Sequence, residues 1–228
     1  MTDSPQGKEE LVRNVFESIQ DRYDLLDSLI SAGLDQRWRK YALQKLELQD
    51  SSEVLDCGAG TGKLTRMILE GCPGCKVTSL DITKSMFRPS ILPETKFIVA
   101  SAEKIPLPDS TFNAVASAYL TRNLSSVDSY FSEAFRVLRS GGRFVNLDIY
   151  NPTLPGFSML FRIYFYHLVP VIGNIATRSK SYTYLANSVR NFHSQETVLQ
   201  KIAAAGFTNT GFKKLMGGSI GIHWGTKP

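Results

Sequence analysis

Three cysteines are all this 228-residue chain holds, at Cys57, Cys72 and Cys75. So small and odd a count argues against the disulfide framework of small secreted domains. Histidine is equally scarce, at His167, His193 and His223, too scattered to complete a zinc site with Cys72-Pro-Gly-Cys75. That Cys-x-x-Cys pair follows a helix instead of opening one, so neither thiol has the helix N-terminus that activates a redox cysteine. It reads as a Pro-Gly turn flanked by incidental cysteines. No run of five like charges occurs, although net charge is +5, and no basic face interleaved with aromatics marks a nucleic-acid partner. A mild basic balance suits an anionic membrane surface equally well. The start, MTDSPQGKEE, lacks the apolar core of a targeting signal. The longest apolar stretch, Met159 to Gly173, is broken by Arg162, His167 and Pro170 and falls short of the roughly 18 residues of a membrane span. Neither repeat nor low-complexity tract appears. What is present, 43% apolar residues, suffices for a single α/β domain over 1–228. A cytoplasmic protein, or one peripheral on the inner face of a membrane, is expected.

The most informative stretch is Val54 to Thr65, VLDCGAGTGKLT. An apolar run ends in Asp56, passes through Gly58, Gly60, Thr61 and Gly62, and enters helical spacing at Leu64, Met67 and Ile68: strand, turn, helix. Glycines permit positive φ and close approach of the backbone to a ligand. A dinucleotide fold wants GxGxxG, with pyrophosphate on the helix N-terminus, but its last position here is Lys63. The pattern GxGxG favours S-adenosylmethionine (AdoMet), which becomes S-adenosylhomocysteine on methyl transfer.

The next strand, Lys76 to Leu80, leads to Asp81 and Ile82, where a carboxylate can accept hydrogen bonds from both ribose hydroxyls. A third strand, Phe97 to Ala100, ends in Ser101, Ala102 and Glu103, where adenine would lie. Taken singly, each has a plain structural reading, as an ordinary tight turn or a cap for the helix near Lys84 to Phe87. Together they place three strand ends on one edge of a parallel sheet, where open α/β sheets bind ligands.

Residues 1–47 read as two or three helices, either scaffolding for the sheet or a lid over the ligand, with stripes at Leu11, Val15, Phe16, Ile19 and at Leu25, Leu26, Leu29, Ile30. Tyr23 lies between the stripes, facing either core or cofactor. The fourth strand, Phe112 to Ala118, runs into Tyr119, Leu120, Thr121, Arg122 and Asn123, a polar pair placed to face reacting groups, although Arg122 serves equally as a surface side chain. A helix from Ser126 to Leu138 leads to a fifth strand, Arg143 to Ile149, with Asp148 near its end. Residues 150–192 are rich in Phe, Tyr, Leu and Ile and read either as core or as a helical cap receiving a hydrophobic substrate or touching lipid. After a helix from Gln195 to Ala205, Met216 to Thr226 reads as a closing antiparallel hairpin.

These segments resemble the AdoMet-dependent C-methyltransferases of ubiquinone and menaquinone biosynthesis. The resemblance covers nearly the whole chain and rests on VFESIQDRYDLLDSLIS, LDCGAGTGKLT, LDITKSM, SAEKIPLPDSTFNAV, the TRN after the fourth strand, FRVLRSGGRF, FYHLVPVIG, SYTYLANSVRNF and the terminal HWGTK. It implies a class I, Rossmann-like methyltransferase fold: a seven-stranded, mostly parallel sheet with an antiparallel last strand, N-terminal helices and a helical cap. It implies cofactor contact from Thr61, Asp81, Ser101, Ala102 and the position of Ala118, and a quinol ring facing Arg122 and Asn123, with Tyr23 matching the family's Tyr-Asp motif. The expected partner is a hydrophobic quinol, with peripheral membrane contact and either a monomer or a homodimer. Lys63, Ala118, Asp27 and Asp35 depart from the residues usual in the family.

Such chemistry needs an electron-rich ring carbon aligned with a sulfonium methyl. Arg122 would stabilise the ring oxyanion and Asn123 hold the same oxygen or a water. His167 is the nearest candidate base in sequence, with a structural histidine as the plainer reading, and Phe161 and Tyr182 are expected at the substrate. No metal is expected. Other classes stay open: a methyltransferase for another hydrophobic small molecule, or a nucleotide-binding protein without catalysis.

Overall fold

Short apolar runs bounded by turn residues become strands: β1 (Glu53–Cys57), β2 (Lys76–Asp81), β3 (Lys96–Val99), β4 (Phe112–Ala118) and β5 (Leu138–Ile149). A computed structural model describes residues 5–20, 23–88 and 95–228. The five strands pair in parallel in the order β3-β2-β1-β4-β5. Beyond β5 come β7 (Ile220–Thr226), antiparallel to it, and at the edge β6 (Thr208–Leu215). This is the sheet expected from the strand ends. The difference lies in the closing hairpin, whose first arm is Thr208–Leu215. Its sequence, TNTGFKKL, half-exposed on the sheet edge, lacks the alternation that marks a half-buried strand.

Alternation along the inner strands divides the core. Leu55, Leu80, Val115 and Phe144 face α5 (Val127–Val137) and α9 (Gln195–Ala204), whose Tyr130, Phe131, Val198 and Ile202 are fully buried. Val54, Val77, Ala114, Ala116 and Val145 face the other way, toward Leu64 and Ile68 of α4 (Lys63–Gly71) and Ala42 of α3 (Asp35–Gln44). A sheet buried on both faces is why its strands read as continuous apolar runs. Ser126 and Ser194 cap α5 and α9 by accepting the N–H of Ser129 and Thr197 at 3.1 Å.

Two more helices precede the sheet, α1 (Pro5–Ile19) and α2 (Tyr23–Ile30), and between β5 and α9 come α6 (Phe157–Ile163), α7 (Val169–Thr177) and α8 (Ser181–Arg190). A π-helical turn, Tyr164–Leu168, joins α6 to α7, so Phe157–Thr177 is one helix of 21 residues. Arg162, His167 and Pro170 therefore do not break the apolar stretch as expected. Pro170 lacks an N–H and its ring crowds the preceding turn; the wider π turn just before it accommodates both. By length and composition alone this helix is long and apolar enough to cross a membrane.

The Pro-Gly turn after α4 is present, closed by Cys75 N–H donating to the Cys72 carbonyl at 3.0 Å. It also brings the two cysteines to a Cα separation of 5.4 Å and joins them in a disulfide. That corrects the reading of two incidental thiols: the turn itself supplies the proximity.

His223 on β7 is fully buried, with Nε2 2.9 Å from the Gln195 carbonyl and its ring stacked on Phe212. Burial lowers its pKa to about 4, against the opposing Gln195 hydrogen bond. A depressed folded pKa gives stability that is complete above the unfolded value of about 6.5 and is lost as pH falls toward the folded one. We expect the wild type to lose stability relative to His223→Gln between about pH 6.5 and 4, on the order of 3 kcal/mol in all, measured by urea denaturation at each pH. Parallel curves would remove His223 as the cause.

Candidate active site

β1 is flanked by β2 on one side and β4 on the other, so the chain winds away in both directions and leaves a crevice at the carboxyl ends of these strands. The turn after β1 runs along it, with Gly58, Gly60 and Gly62 at φ +68°, +55° and +85°. A Cβ on Gly58 would lie 2.8 Å from Leu120 Cδ1, so the glycine is required by close approach as well as by φ. The crevice encloses about 690 Å³ of empty space, part of it open to solvent, and is walled by Asp81, Ile82, Ser101, Ala102, Glu103 and Met86 among others. Asp81 is fixed from both sides: Gly60 N–H donates to Oδ2 and Thr83 N–H to Oδ1, each at 2.8 Å. Burial nonetheless raises its pKa. Glu103 accepts the N–H groups of Ser125 and Ser126 at 2.7 and 2.9 Å, tying the third strand end to the start of α5. Helix α1 closes the crevice with Glu9, Val12 and Phe16.

A side recess continues past Gly58 and Ala118 to Asp56, Thr61, Arg39 and Lys63. Asp56 is fully buried; Oδ2 accepts from Thr65 Oγ1 at 2.6 Å, while Oδ1 has no hydrogen-bond partner among the described residues. Burial raises its pKa to about 7, with the Thr65 hydrogen bond opposing. Above this recess lies an ion cluster. Lys63 Nζ reaches Asp27 at 3.1 Å and both Asp24 and Asp35 at 3.6 Å, and Arg39 reaches Asp27 at 3.4 Å and Asp35 at 3.7 Å. Thr61 Oγ1 donates to Asp24 at 2.7 Å. Three positions that depart from the family's usual residues, Lys63, Asp27 and Asp35, thus meet as charge partners joining α2 and α3 to the start of α4.

A second cavity opens beside the first and shares Phe16, Tyr119 and Asn123 with it. Its other walls include Val15 and Ile19 of α1, Asp27 of α2, Arg122, and Tyr182 and Tyr184 of α8. Arg122 is buried and donates through Nη1 to Asp148 Oδ1 at 2.5 Å and to the Tyr119 carbonyl at 2.9 Å. Asp148 Oδ2 accepts Thr121 Oγ1 at 2.6 Å and Arg122 N–H at 3.1 Å. Asn123 Nδ2 donates to the same Tyr119 carbonyl at 3.0 Å, and Tyr184 hydroxyl donates to Asn123 Oδ1 at 3.3 Å. Tyr119 itself has φ +63°, uncommon for a side chain of that size.

Geometry and sequence now point the same way. The model of the ubiE/COQ5 methyltransferase family matches residues 4–227. The chain belongs to that family. Curated relatives include the ubiquinone/menaquinone biosynthesis C-methyltransferase UbiE of Desulfotalea psychrophila, 35% identical over 95% of this chain and 90% of that protein. The demethylmenaquinone methyltransferase of Corynebacterium urealyticum is 32% identical over 95% and 94%. Among solved structures, an AdoMet-dependent methyltransferase of Thermotoga maritima has the same fold at TM-score 0.63 and 17% identity, covering 94% of this chain and 99% of that one. A Haemonchus contortus phosphoethanolamine N-methyltransferase bound to S-adenosylhomocysteine aligns at TM-score 0.64 and 13% identity, covering 90% and 56%. This family member is an AdoMet-dependent methyltransferase.

The residues present suit that cofactor. Asp81 offers a carboxylate for the ribose diol, Met86 and Ala102 offer an apolar slot for a flat base, and the orphaned Oδ1 of Asp56 matches an ammonium in a recess that also holds a guanidinium. Of the residues expected from sequence, Asp56, Gly58, Gly60, Thr61, Asp81, Ile82, Ser101, Ala102, Glu103 and Ala118 line the crevice or its recess. Gly62 caps α4 instead. Arg122, Asn123 and Tyr182 line the second cavity. Two expectations fail. His167 is exposed on the outer face of its helix, and Phe161 stacks on Phe165 inside the cap, with ring centroids 4.9 Å apart. A four-residue apolar spacing cannot by itself tell which side of a helix meets a substrate and which meets the protein. The side chain of Tyr23 lies outside the described residues. Asp148, Tyr119 and Tyr184 carry geometry that sequence reasoning did not assign; the signal available was Asp148 at the end of a parallel strand on the same rim.

Two outcomes test the cofactor end. Asp81→Asn should weaken S-adenosylhomocysteine binding by roughly tenfold to a hundredfold, the loss of charge-assisted hydrogen bonds, by isothermal titration calorimetry. Asp56 is ionised only above about pH 7, so affinity should rise through that pH in the wild type and less steeply in Asp56→Asn; identical profiles would dismiss Asp56 as an ammonium ligand.

Proposed function

We propose that Arg122 and Asn123 hold the ring oxygen of a demethylated quinol in the second cavity while an adjacent ring carbon is methylated. The activity is C-methylation in quinone biosynthesis, and the benzoquinol or naphthoquinol ring is the part this proposal adds. One observation carries it: a buried guanidinium, pinned by Asp148 and the Tyr119 carbonyl, lines an aromatic cavity that shares three residues with the cofactor crevice.

Bound AdoMet would supply an electrophilic methyl group at that shared wall. The chain's own work is to make the ring carbon nucleophilic and to aim it. Arg122 stays protonated, as a guanidinium does in proteins, and stabilises the oxyanion of a deprotonated ring hydroxyl. Asp148 keeps the guanidinium in place without reaching the substrate. Tyr184 has its pKa pushed up to about 12 by burial, with Arg122 opposing; it therefore remains a donor, fixing the amide of Asn123. With His167 outside the cavity and Tyr184 held protonated, the ring proton passes to water or to the carboxylate of Asp27, which lines the same cavity. Burial likewise raises the Tyr182 pKa, so Tyr182 acts as a wall and not a base. In this reading residues 1–47 are the lid, residues 150–192 the cap, and the reaction takes place in the cytoplasm, on substrate drawn from the inner leaflet.

The test is transfer of labelled methyl from AdoMet to demethylated naphthoquinols and benzoquinols under reducing conditions. Arg122→Ala should lower kcat on the order of a hundredfold while S-adenosylhomocysteine affinity stays within about twofold. Asp148→Asn should lower both kcat and Tm, because removing the anionic partner of a buried ion pair costs about 3–5 kcal/mol. Wild-type turnover by Arg122→Ala, or no methylation of either ring type, would defeat the proposal.

A further inference from the structure

The cap helix Phe157–Thr177 has two apolar faces, and the fold covers only one. Phe161, Phe165, Val169 and Gly173, spaced by four, are buried against the rest of the protein. At Gly173 the ring of Tyr182 sits so close that a Cβ would lie 2.2 Å from Tyr182 Cγ, and Tyr182 is a wall of the second cavity. On the outward face Met159, Leu160, Ile163, Val171 and Ile175 are each more than half exposed, Ile175 by 73%. Isolated exposed apolar residues are ordinary; a continuous row of this length marks an interaction surface.

Charge decides what covers it. Between Asp148 and Glu196 the chain has no carboxylate side chain, but it has Arg162, Arg178, Lys180 and Arg190, so four of its five net positive charges fall in this one stretch. All four are exposed. A second copy docking by the same face would bring eight such cations together with no carboxylate from this stretch to pair them. An anionic lipid surface answers both the charge and the apolar row. Arg162 stands among the apolar residues and can extend its head to the phosphate level while its stem stays in the acyl boundary. The helix lies in the plane of the interface instead of crossing it, because its inner face is packed on the domain from Phe161 to Gly173; a crossing would draw polar Ser181 and the charged α1 into hydrocarbon.

We infer that the outer face of Phe157–Thr177, with Arg162, Arg178 and Lys180, is a docking surface for an anionic lipid bilayer, and that the inner face of the same helix rests on Tyr182, a wall of the substrate cavity. The docking stands apart from the quinol reading; entry of substrate from the bilayer into the cavity rests on it.

Co-sedimentation of the full chain with vesicles of phosphatidylcholine, with and without phosphatidylglycerol, tests the surface. We expect partitioning to phosphatidylglycerol vesicles at least about tenfold above neutral ones, falling with salt. Ile163→Glu with Ile175→Glu, and separately Arg178→Glu with Lys180→Glu, should each lose about tenfold or more, with Tm, S-adenosylhomocysteine affinity and methylation of a short-chain, water-soluble quinol unchanged. Equal binding to neutral and anionic vesicles overturns the inference, as does wild-type partitioning by the Ile163/Ile175 variant. A solution dimer that this variant dissociates, found by sedimentation velocity without vesicle binding, assigns the face to a second copy and overturns it too. Vesicle binding without methylation of any quinol would leave the docking surface standing and remove only the substrate.

Discussion

The carboxylate of Asp148 organises the reacting end of this protein. It is fully buried and takes the Thr121 hydroxyl, the Arg122 N–H, the Arg122 guanidinium and the N–H of Ile149. The register of β4 against β5 pairs Ala118 with Leu147, so the turn that leaves β4 must pass directly beside Asp148. Low surrounding dielectric strengthens each of these hydrogen bonds and makes the loss of any one of them costly. The left-handed backbone of Tyr119 belongs to the same arrangement: it turns the Tyr119 carbonyl toward both Arg122 and Asn123. Strand register, one strained residue and one buried anion together aim a guanidinium.

The cofactor side is held differently. Its walls are backbone, glycine turns and strand ends, which vary little once the sheet is built. The helices α2 and α3 above it are held by charge, through Lys63 and Arg39 among Asp24, Asp27 and Asp35. Asp35 is fully buried and Lys63 only partly so, which makes this cluster less sensitive to screening than a surface pair. Losing Asp27 or Asp35 alone would still leave Lys63 and Arg39 each a carboxylate, so the cluster absorbs single changes.

Much of this was legible in the sequence because parallel strands announce themselves. Each of the first five is an apolar run, and the first three end in a residue that faces the crevice; the family motifs then placed Arg122 and Asn123. What was not legible depended on partners distant in sequence. Asp148 lies 26 residues from Arg122, and nothing local distinguishes its carboxylate from any other at a strand end. Thr208–Leu215 is an edge strand without alternation, and the disulfide depends on how tightly one turn closes. For the cap, hydrophobicity marked Phe157–Thr177 as unusual, but both faces are apolar. Only packing shows that Phe161 points inward and His167 outward.

The contact between the glycine turn and the turn after β4 has a consequence for how such a site can change over generations. Gly58 leaves no room for a methyl group against Leu120, and Leu120 stands two residues before Arg122. A larger residue on the donor-holding side would push directly on the acceptor-holding side. Ancestral sequences could therefore drift along the N-terminal helices or along Phe157–Thr177 one position at a time, while the two loops at the heart of the crevice had to be inherited as a single block.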